Sequence, residues 1–231
     1  MRKRFVAVLV SGLMMTSPAA LADGHEVDPW EGYNRVMFGF NEGLDKYALK
    51  PITLGYKAIT PDLVETGVSN FFDNISDVGS LLNNVLQTKF EAAGEDLARV
   101  SFNSTFGLGG VLDVATPMGI EEHNEDFGQT LGYWGMSSGP YLVLPLFGPS
   151  NVRDTGGLIV DTITSPISNI EDDSARYAVT GLQAIDTRSG LLEAEKLITG
   201  DRYTFIRDAY LQRREFSIND GQSEDYDDEN F

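Results

Sequence analysis

Cysteine is absent from all 231 residues. Its absence excludes thiolate nucleophiles, disulfide frameworks, thiolate zinc sites and a lipid-modified N-terminal Cys. Histidine occurs only at His25 and His123. Neither a Gly-x-Ser-x-Gly elbow nor a His-Glu-x-x-His motif is present, so no nucleophile–base or zinc-hydrolase pattern marks an active site. Gly107-Leu108-Gly109-Gly110-Val111-Leu112-Asp113 is glycine-rich but lacks the Gly-Lys-Ser/Thr ending of a phosphate loop, which leaves a tight turn. No cofactor-binding pattern is found, and the chain is expected to act without catalysing a reaction. Positive charge is also scarce, with 17 Lys and Arg against 35 Asp and Glu and a net charge of −18. Such a chain repels nucleic acid, which is excluded as a partner.

The longest absence is of charge altogether. From Gly128 to Val152 there is no Asp, Glu, Lys, Arg or His, in a chain that is 23% charged. A transmembrane helix needs roughly 20 apolar residues, but Gly128, Gly132, Gly135, Gly139, Gly148, Pro140, Pro145 and Pro149 break a regular helix here. Irregular backbone at membrane depth survives only when protein buries it or when it lines a cavity. The stretch is therefore a buried core loop or a wall of an amphipathic passage.

The N-terminus has the form of an export signal: basic Arg2, Lys3 and Arg4, an apolar Phe5 to Met15, and a small-residue site at Ala20-Leu21-Ala22. Residues 1–22 are expected to be removed, leaving one helical domain over 23–216 and an acidic, disordered tail over 217–231. Removing three basic residues and no acidic one takes the net charge to −21. Asp28-Pro29-Trp30-Glu31 predicts a capped helix start. Trp30, Tyr33, Met37, Phe40, Leu44 and Tyr47 then recur at helical spacing, with Phe38 beside them. This aromatic stripe is either core or a membrane-interface face. Lys50-Pro51 ends or bends the helix. A further helix carries Val64, Val68, Phe71 and Ile75, and Ser76 is expected to cap the next, with Val78, Leu81, Leu82, Val85 and Leu86 on its apolar face. Another spans Lys89 to Ser104 with Phe90, Ala93, Leu97 and Val100 on one face. Glu121-Glu122-His123-Asn124-Glu125-Asp126 places four carboxylates beside an imidazole; the spacing fits no calcium loop, so it is expected to be a solvated acidic turn without metal. Later helices are predicted over Asp154–Thr164, Ala175–Ile198 with a break at Gly190, and Asp201–Phe216, whose terminal Arg207, Arg213 and Arg214 suit the helix dipole. Only Tyr141 to Leu146 hints at a strand. The fold class is all-α, a single helical domain with one long irregular Gly/Pro-rich insertion.

Several segments, taken in order, resemble the MlaA (VacJ) family. They are Asp28-Pro29-Trp30-Glu31-Gly32-Tyr33-Asn34-Arg35 with Met37-Phe38 and Phe40-Asn41; Ser69-Asn70-Phe71 with Asn74; Gly107 to Asp113; Phe127-Gly128-Gln129-Thr130-Leu131-Gly132; Gly139-Pro140-Tyr141, Leu144-Pro145, Gly148 and Arg153-Asp154; and Tyr210-Leu211-Gln212-Arg213. The resemblance implies a ring-like helical protein around an amphipathic channel in the outer membrane, on its periplasmic side. It implies association with a trimeric outer-membrane porin, removal of mislocalised phospholipids from the outer leaflet, and transfer to a soluble periplasmic lipid carrier of the Mla system. Family members carry an N-terminal lipid anchor on Cys, which this sequence lacks, so a periplasmic pool is also allowed for. Tyr133, Trp134, Tyr141, Leu144 and Phe147 are candidate residues of the lipid path, with core packing as the alternative. Trp30, Tyr33, Met37, Phe38 and Phe40 are the candidate membrane-interface set. Two other readings share these features: a soluble periplasmic lipid-binding module and a structural, porin-associated scaffold.

Overall fold

A computed structural model describes residues 27–221, so the signal segment and the tail from residue 222 lie outside the described residues. The chain is mostly helical. Helix α1 (Glu31–Leu44) passes through one π-helical turn, Asp45–Leu49, into α2 (Lys50–Ile59). Pro51 lacks the amide that would close the preceding α-turn and clashes with the carbonyl four residues back; the wider turn accommodates it, so the helix bends and does not end. Helix α3 (Asp62–Leu86) and helix α4 (Phe90–Thr105) form a hairpin, followed by α5 (Phe127–Tyr133). Strands β1 (Tyr141–Leu144) and β2 (Gly148–Asn151) pair antiparallel, Tyr141 opposite Asn151 and Leu144 opposite Gly148. Helices α6 (Val152–Thr164), α7 (Asp173–Ala194) and α8 (Arg202–Ile218) complete the chain. Asp126, Asn151, Asp172 and Asp201 each accept an amide at the start of α5, α6, α7 and α8.

Four boundaries differ from those expected. Asp28 does not cap α1; Trp30 takes the cap position without a side-chain bond, while Asp28 turns inward and is buried. No break occurs at Ser76, which is exposed on an unbroken 25-residue α3. Gly190 does not divide α7. Ser217 and Ile218, expected in the tail, close α8, and Asp220 pairs with Lys89.

The packing is inverted relative to the amphipathic pattern. Among the described residues, seven apolar side chains are buried against eighteen polar or charged ones. On α3 and just beyond it, the inward positions are Asn74, Asp77, Ser80, Asn84 and Gln87, and on α4 they are Ala93, Asp96, Arg99 and Asn103. Both sets repeat at three- and four-residue spacing, so each marks one helical face. The faces meet through Asn84 Nδ2 donating to Asp96 Oδ2 at 2.8 Å, Arg99 Nε donating to Asp77 Oδ2 at 3.2 Å and Asn74 Nδ2 donating to Ser104 Oγ at 3.1 Å. Leu82, Val85, Leu86, Phe90 and Leu97, from the apolar stripes of these helices, are exposed.

One contact ties the first helix to the hairpin. β2 pairs with one edge of β1. The other edge of β1 is covered by α1, not by a third strand. Asn34, fully buried, accepts from Val143 N at 2.8 Å and donates to Tyr141 O at 3.1 Å. Two turns on, Asn41 accepts from Leu146 N at 2.8 Å and donates to Leu144 O at 2.9 Å. Tyr141 N donates to Val27 O at 3.0 Å. Asn34 Nδ2 also donates to Asp28 Oδ1 at 2.8 Å, and Asp28 accepts from the Tyr203 hydroxyl. Asn34→Ala strips partners from a buried amide, a carbonyl and a carboxylate; each unsatisfied group costs about 1–3 kcal/mol, so a total loss of roughly 3 kcal/mol is expected. For a chain of this size that lowers the melting temperature by about 6–12 °C, measurable by circular dichroism in detergent. Asn41→Ala, at a half-exposed turn, is expected to cost less than half as much.

Candidate functional site

A cavity of about 440 Å³ opens among α3, the hairpin and α6, α7 and α8. Leu144, Phe147 and Leu158 give it an apolar side; Asp126, Asp154, Asp161, Tyr210 and Arg214 give it a polar one. Arg214 is the centre of the polar side. Its Nη2 donates to Asp126 Oδ1 at 2.6 Å, and its Nε lies 2.7 Å from Asp154 Oδ2. The Tyr210 hydroxyl donates to Asp154 Oδ2 at 2.7 Å, and Arg153 Nε donates to Asp154 Oδ1 at 2.9 Å. Gly128 makes this possible. A Cβ there would lie 2.4 Å from Arg214 Nη2 and 2.6 Å from Asp154 Oδ1, and Gly157 has no room for one against the Gly128 backbone. Only paired glycines let α5 and α6 approach closely enough for the guanidinium to bridge them.

Electrostatics follow from burial and pairing. Burial alone would raise the Asp154 carboxyl, but the bonds from Arg214 and Tyr210 outweigh it and hold the group below the usual range. Arg214 is held charged: burial opposes its charge, and Asp126 and Asp154 more than compensate. Asp161 has no such cation in contact. Burial pushes it up to about 6, against the Phe127 amide that donates to it at 3.1 Å. No nucleophile–base pair is built here; the arrangement offers a fixed polar wall facing an apolar one.

The candidate path residues divide. Leu144 and Phe147 line the cavity. Tyr141 does not: it is fully buried, with its ring centroid 6.3 Å from that of Tyr203 and 6.0 Å from that of Tyr210. Tyr133 and Trp134 sit at the exposed end of α5, where Trp134 Nε1 donates to Leu86 O at 3.2 Å. On α1, Trp30, Tyr33 and Phe40 are exposed, whereas Met37 and Phe38 pack against Tyr141, Val143 and Tyr203. The stripe is a surface, and the two residues beside the core are its inner edge. Sequence reasoning missed Arg214 and its carboxylates. Arg214 was assigned to the helix dipole, and its actual partners lie 88 and 60 residues away in the chain. The charge-free boundaries at Asp126 and Arg153-Asp154 were the one signal available.

The architecture defines a class: a helical protein with its polar side chains inward, many of its apolar side chains outward, and an amphipathic cavity among its helices. The model of the MlaA lipoprotein family matches residues 26–217, and the chain belongs to that family. An intermembrane phospholipid transport system lipoprotein MlaA of Escherichia coli K12 is 33% identical over 84% of this chain and 80% of its own length. One of Haemophilus influenzae is 29% identical over 95% and 92%. An uncharacterised protein of Rickettsia felis is 34% identical over 83% and 78%. A solved structure described as the structural basis for maintenance of bacterial outer membrane lipid asymmetry superposes with a TM-score of 0.71 at 34% identity, over 83% of this chain and 99% of that one.

The sign of the Asp161 effect is testable. Between pH 7 and about 5 the native state takes up a proton that the unfolded chain, with an ordinary carboxylate, does not. Asp161 therefore disfavours folding most at neutral pH, and less as pH falls. Asp161→Asn keeps an acceptor for the Phe127 amide. It is expected to melt above the parent at pH 7.5, with the difference narrowing by more than half at pH 4.5; a constant difference across that range would show that Asp161 does not titrate there.

Proposed function

We propose that this protein moves phospholipid. It takes molecules misplaced in the outer leaflet of the outer membrane and passes them to a soluble periplasmic carrier, without chemical conversion. The observation that carries this reading is the inversion of burial. Thirty-five large apolar side chains are exposed among the described residues, including Ile59, Leu63, Phe90, Phe106 and Leu108, while the interior is polar. Water penalises such a surface, and large contiguous apolar patches mark membrane or partner contact. Hydrocarbon favours it, provided every inward polar group is satisfied. No helix among the described residues is long and apolar enough to cross a membrane. A short helical ring seated in one leaflet, steadied by a trimeric porin, fits both facts.

The cavity suits the cargo. A lipid crossing the bilayer must shield a charged head group while its acyl chains stay in hydrocarbon. The Asp126–Arg214–Asp154 side offers hydrogen bonds to the head group, and Leu144, Phe147 and Leu158 pass the chains. The relatives named for intermembrane phospholipid transport, and the related structure described for outer membrane lipid asymmetry, support the assignment. The ring's outer face, with Trp30, Tyr33 and Phe40, takes the interface zone that aromatic residues prefer.

Substitution to Asp separates path from core. Tyr141→Asp buries an unpaired charge in the core and is expected to abolish accumulation of the protein. Phe147→Asp sits on an exposed tip and is expected to leave abundance normal. It would place an anion beside the lipid phosphate and raise surface-exposed phospholipid to the level of a deletion strain. Leu144→Asp is expected to show the same phenotype at reduced abundance. Normal surface phospholipid in an abundant Phe147→Asp strain would remove this cavity from the path.

A further inference from the structure

A second cavity, of about 840 Å³, lies between the start of α4, the loop before α5 and the end of α8. Three ligand-type side chains converge in it. Glu95 from α4, and Glu121 and His123 from the loop, bring two carboxylate oxygens and one imidazole nitrogen within 4.8 Å of one another. His123 Nε2 lies 3.5 Å from Glu95 Oε2. On the other side of the ring, Nδ1 lies 3.1 Å from Asp96 Oδ1, and Asp96 is fully buried. A buried carboxylate on Nδ1 fixes the proton there and leaves the Nε2 lone pair on the side of Glu95, the outer-sphere arrangement of metal-binding histidines. Asp96 is itself held by Asn84 Nδ2 at 2.8 Å. Asn84 is 1% exposed and lines the same cavity, and its Oδ1 has no hydrogen-bond partner among the described residues. A buried amide oxygen needs a donor or a cation. Asn84 thus brings an unpartnered buried oxygen to the wall of the cavity that holds the two carboxylates and the imidazole.

We propose that Glu95, Glu121 and His123 bind a divalent first-row transition cation, with Asp96 as the positioning residue for His123 and Asn84 Oδ1 facing the ion or its water. One imidazole among oxygens suits zinc and its neighbours; calcium and magnesium prefer all-oxygen shells. The ion ties the loop to α4. That loop ends at Asp126, which caps α5 and holds Arg214, so the site braces the polar wall of the first cavity from outside it.

The test uses the full chain, untagged, in detergent, with His25→Asn so that His123 is the remaining histidine. Zinc chloride is titrated by calorimetry, with magnesium and calcium chloride in parallel. One zinc per chain is expected, with a rise in melting temperature that EDTA reverses. Glu121→Gln is on an exposed loop position and is expected to melt like the parent in EDTA while binding zinc at least 10-fold more weakly. Glu95→Gln should do the same. Asp96→Asn should weaken binding by about 10–100-fold, the range for lost outer-sphere partners. No saturable zinc binding, zinc affinity unchanged in both Glu121→Gln and Glu95→Gln, or equal affinity for magnesium or calcium would overturn the proposal.

Discussion

A polar interior has to satisfy its own hydrogen bonds, and the rest of this structure depends on that constraint. The exchange between Asn34 and the backbone of β1 is its clearest instance. A two-stranded hairpin is marginal by itself, and its open edge would pair with any passing strand. Here side-chain amides from α1 stand in for the missing strand, residue by residue, through Asn34 and Asn41. Asn34 is oriented in turn by Asp28, which also binds Tyr203 on α8. The first helix, the hairpin and the last helix are thus fixed by one chain of directional contacts. Apolar packing alone would let them slide. The small cluster of Tyr141, Val143 and Tyr203, with Phe38 edge-on to Tyr203 at 5.6 Å, fills the space beside it.

The same constraint explains why such a protein tolerates so little apolar core. In water, a domain of this length is stabilised mainly by burying apolar surface. Here that surface is turned outward, and most of the inward groups are paired with one another, Asn84 Oδ1 and the Tyr141 hydroxyl being exceptions among the described residues. Asn103 illustrates the economy: its Oδ1 accepts from Val114 N and Ala115 N, and its Nδ2 donates to Asp113 Oδ1, so one buried side chain closes the glycine-rich turn. Gly107 is required at the base of that turn because a Cβ would lie 2.1 Å from Leu112 O. A surrounding hydrocarbon phase removes the penalty on the outer face and raises the cost of breaking any inner bond.

Legibility followed the physics of each signal. Helix starts at Val152, Asp173 and Arg202 carry cap residues whose side chains act locally, and Tyr141 to Leu146 hints at one strand, so the class of fold and most elements could be read; α5 and β2 could not, because they lie in the Gly/Pro-rich stretch expected to be irregular. Direction could not. Helical periodicity locates the two faces of α3 and α4 but not which one meets the protein; in water the apolar face would be the inner one. The polar repeat Asn74, Asp77, Ser80, Asn84 was equally periodic. Arg214 and Asp154 could not be joined from sequence, since their contact depends on the approach of α5 to α6 at Gly128 and Gly157.

The hairpin tip bears on the proposed lipid path. Leu146 adopts φ 70, a left-handed conformation costly for a residue with a Cβ. It is held there by the Asn41 side chain on its amide, and the result is that Leu146 and Phe147 stand exposed at the end of the strands, 74% and 67% accessible. Relaxing the turn would withdraw them. Strain kept at an exposed apolar tip, beside a cavity whose opposite wall is a locked Arg–carboxylate network, has no packing benefit to offset it. It is accounted for if the tip's position relative to that wall matters: the distance between an apolar edge and a polar wall sets what an amphiphile can pass with its head on one side and its chains on the other. On this view the buried asparagines of α1 hold the hairpin as a fixed edge of the passage as well as stabilising the fold.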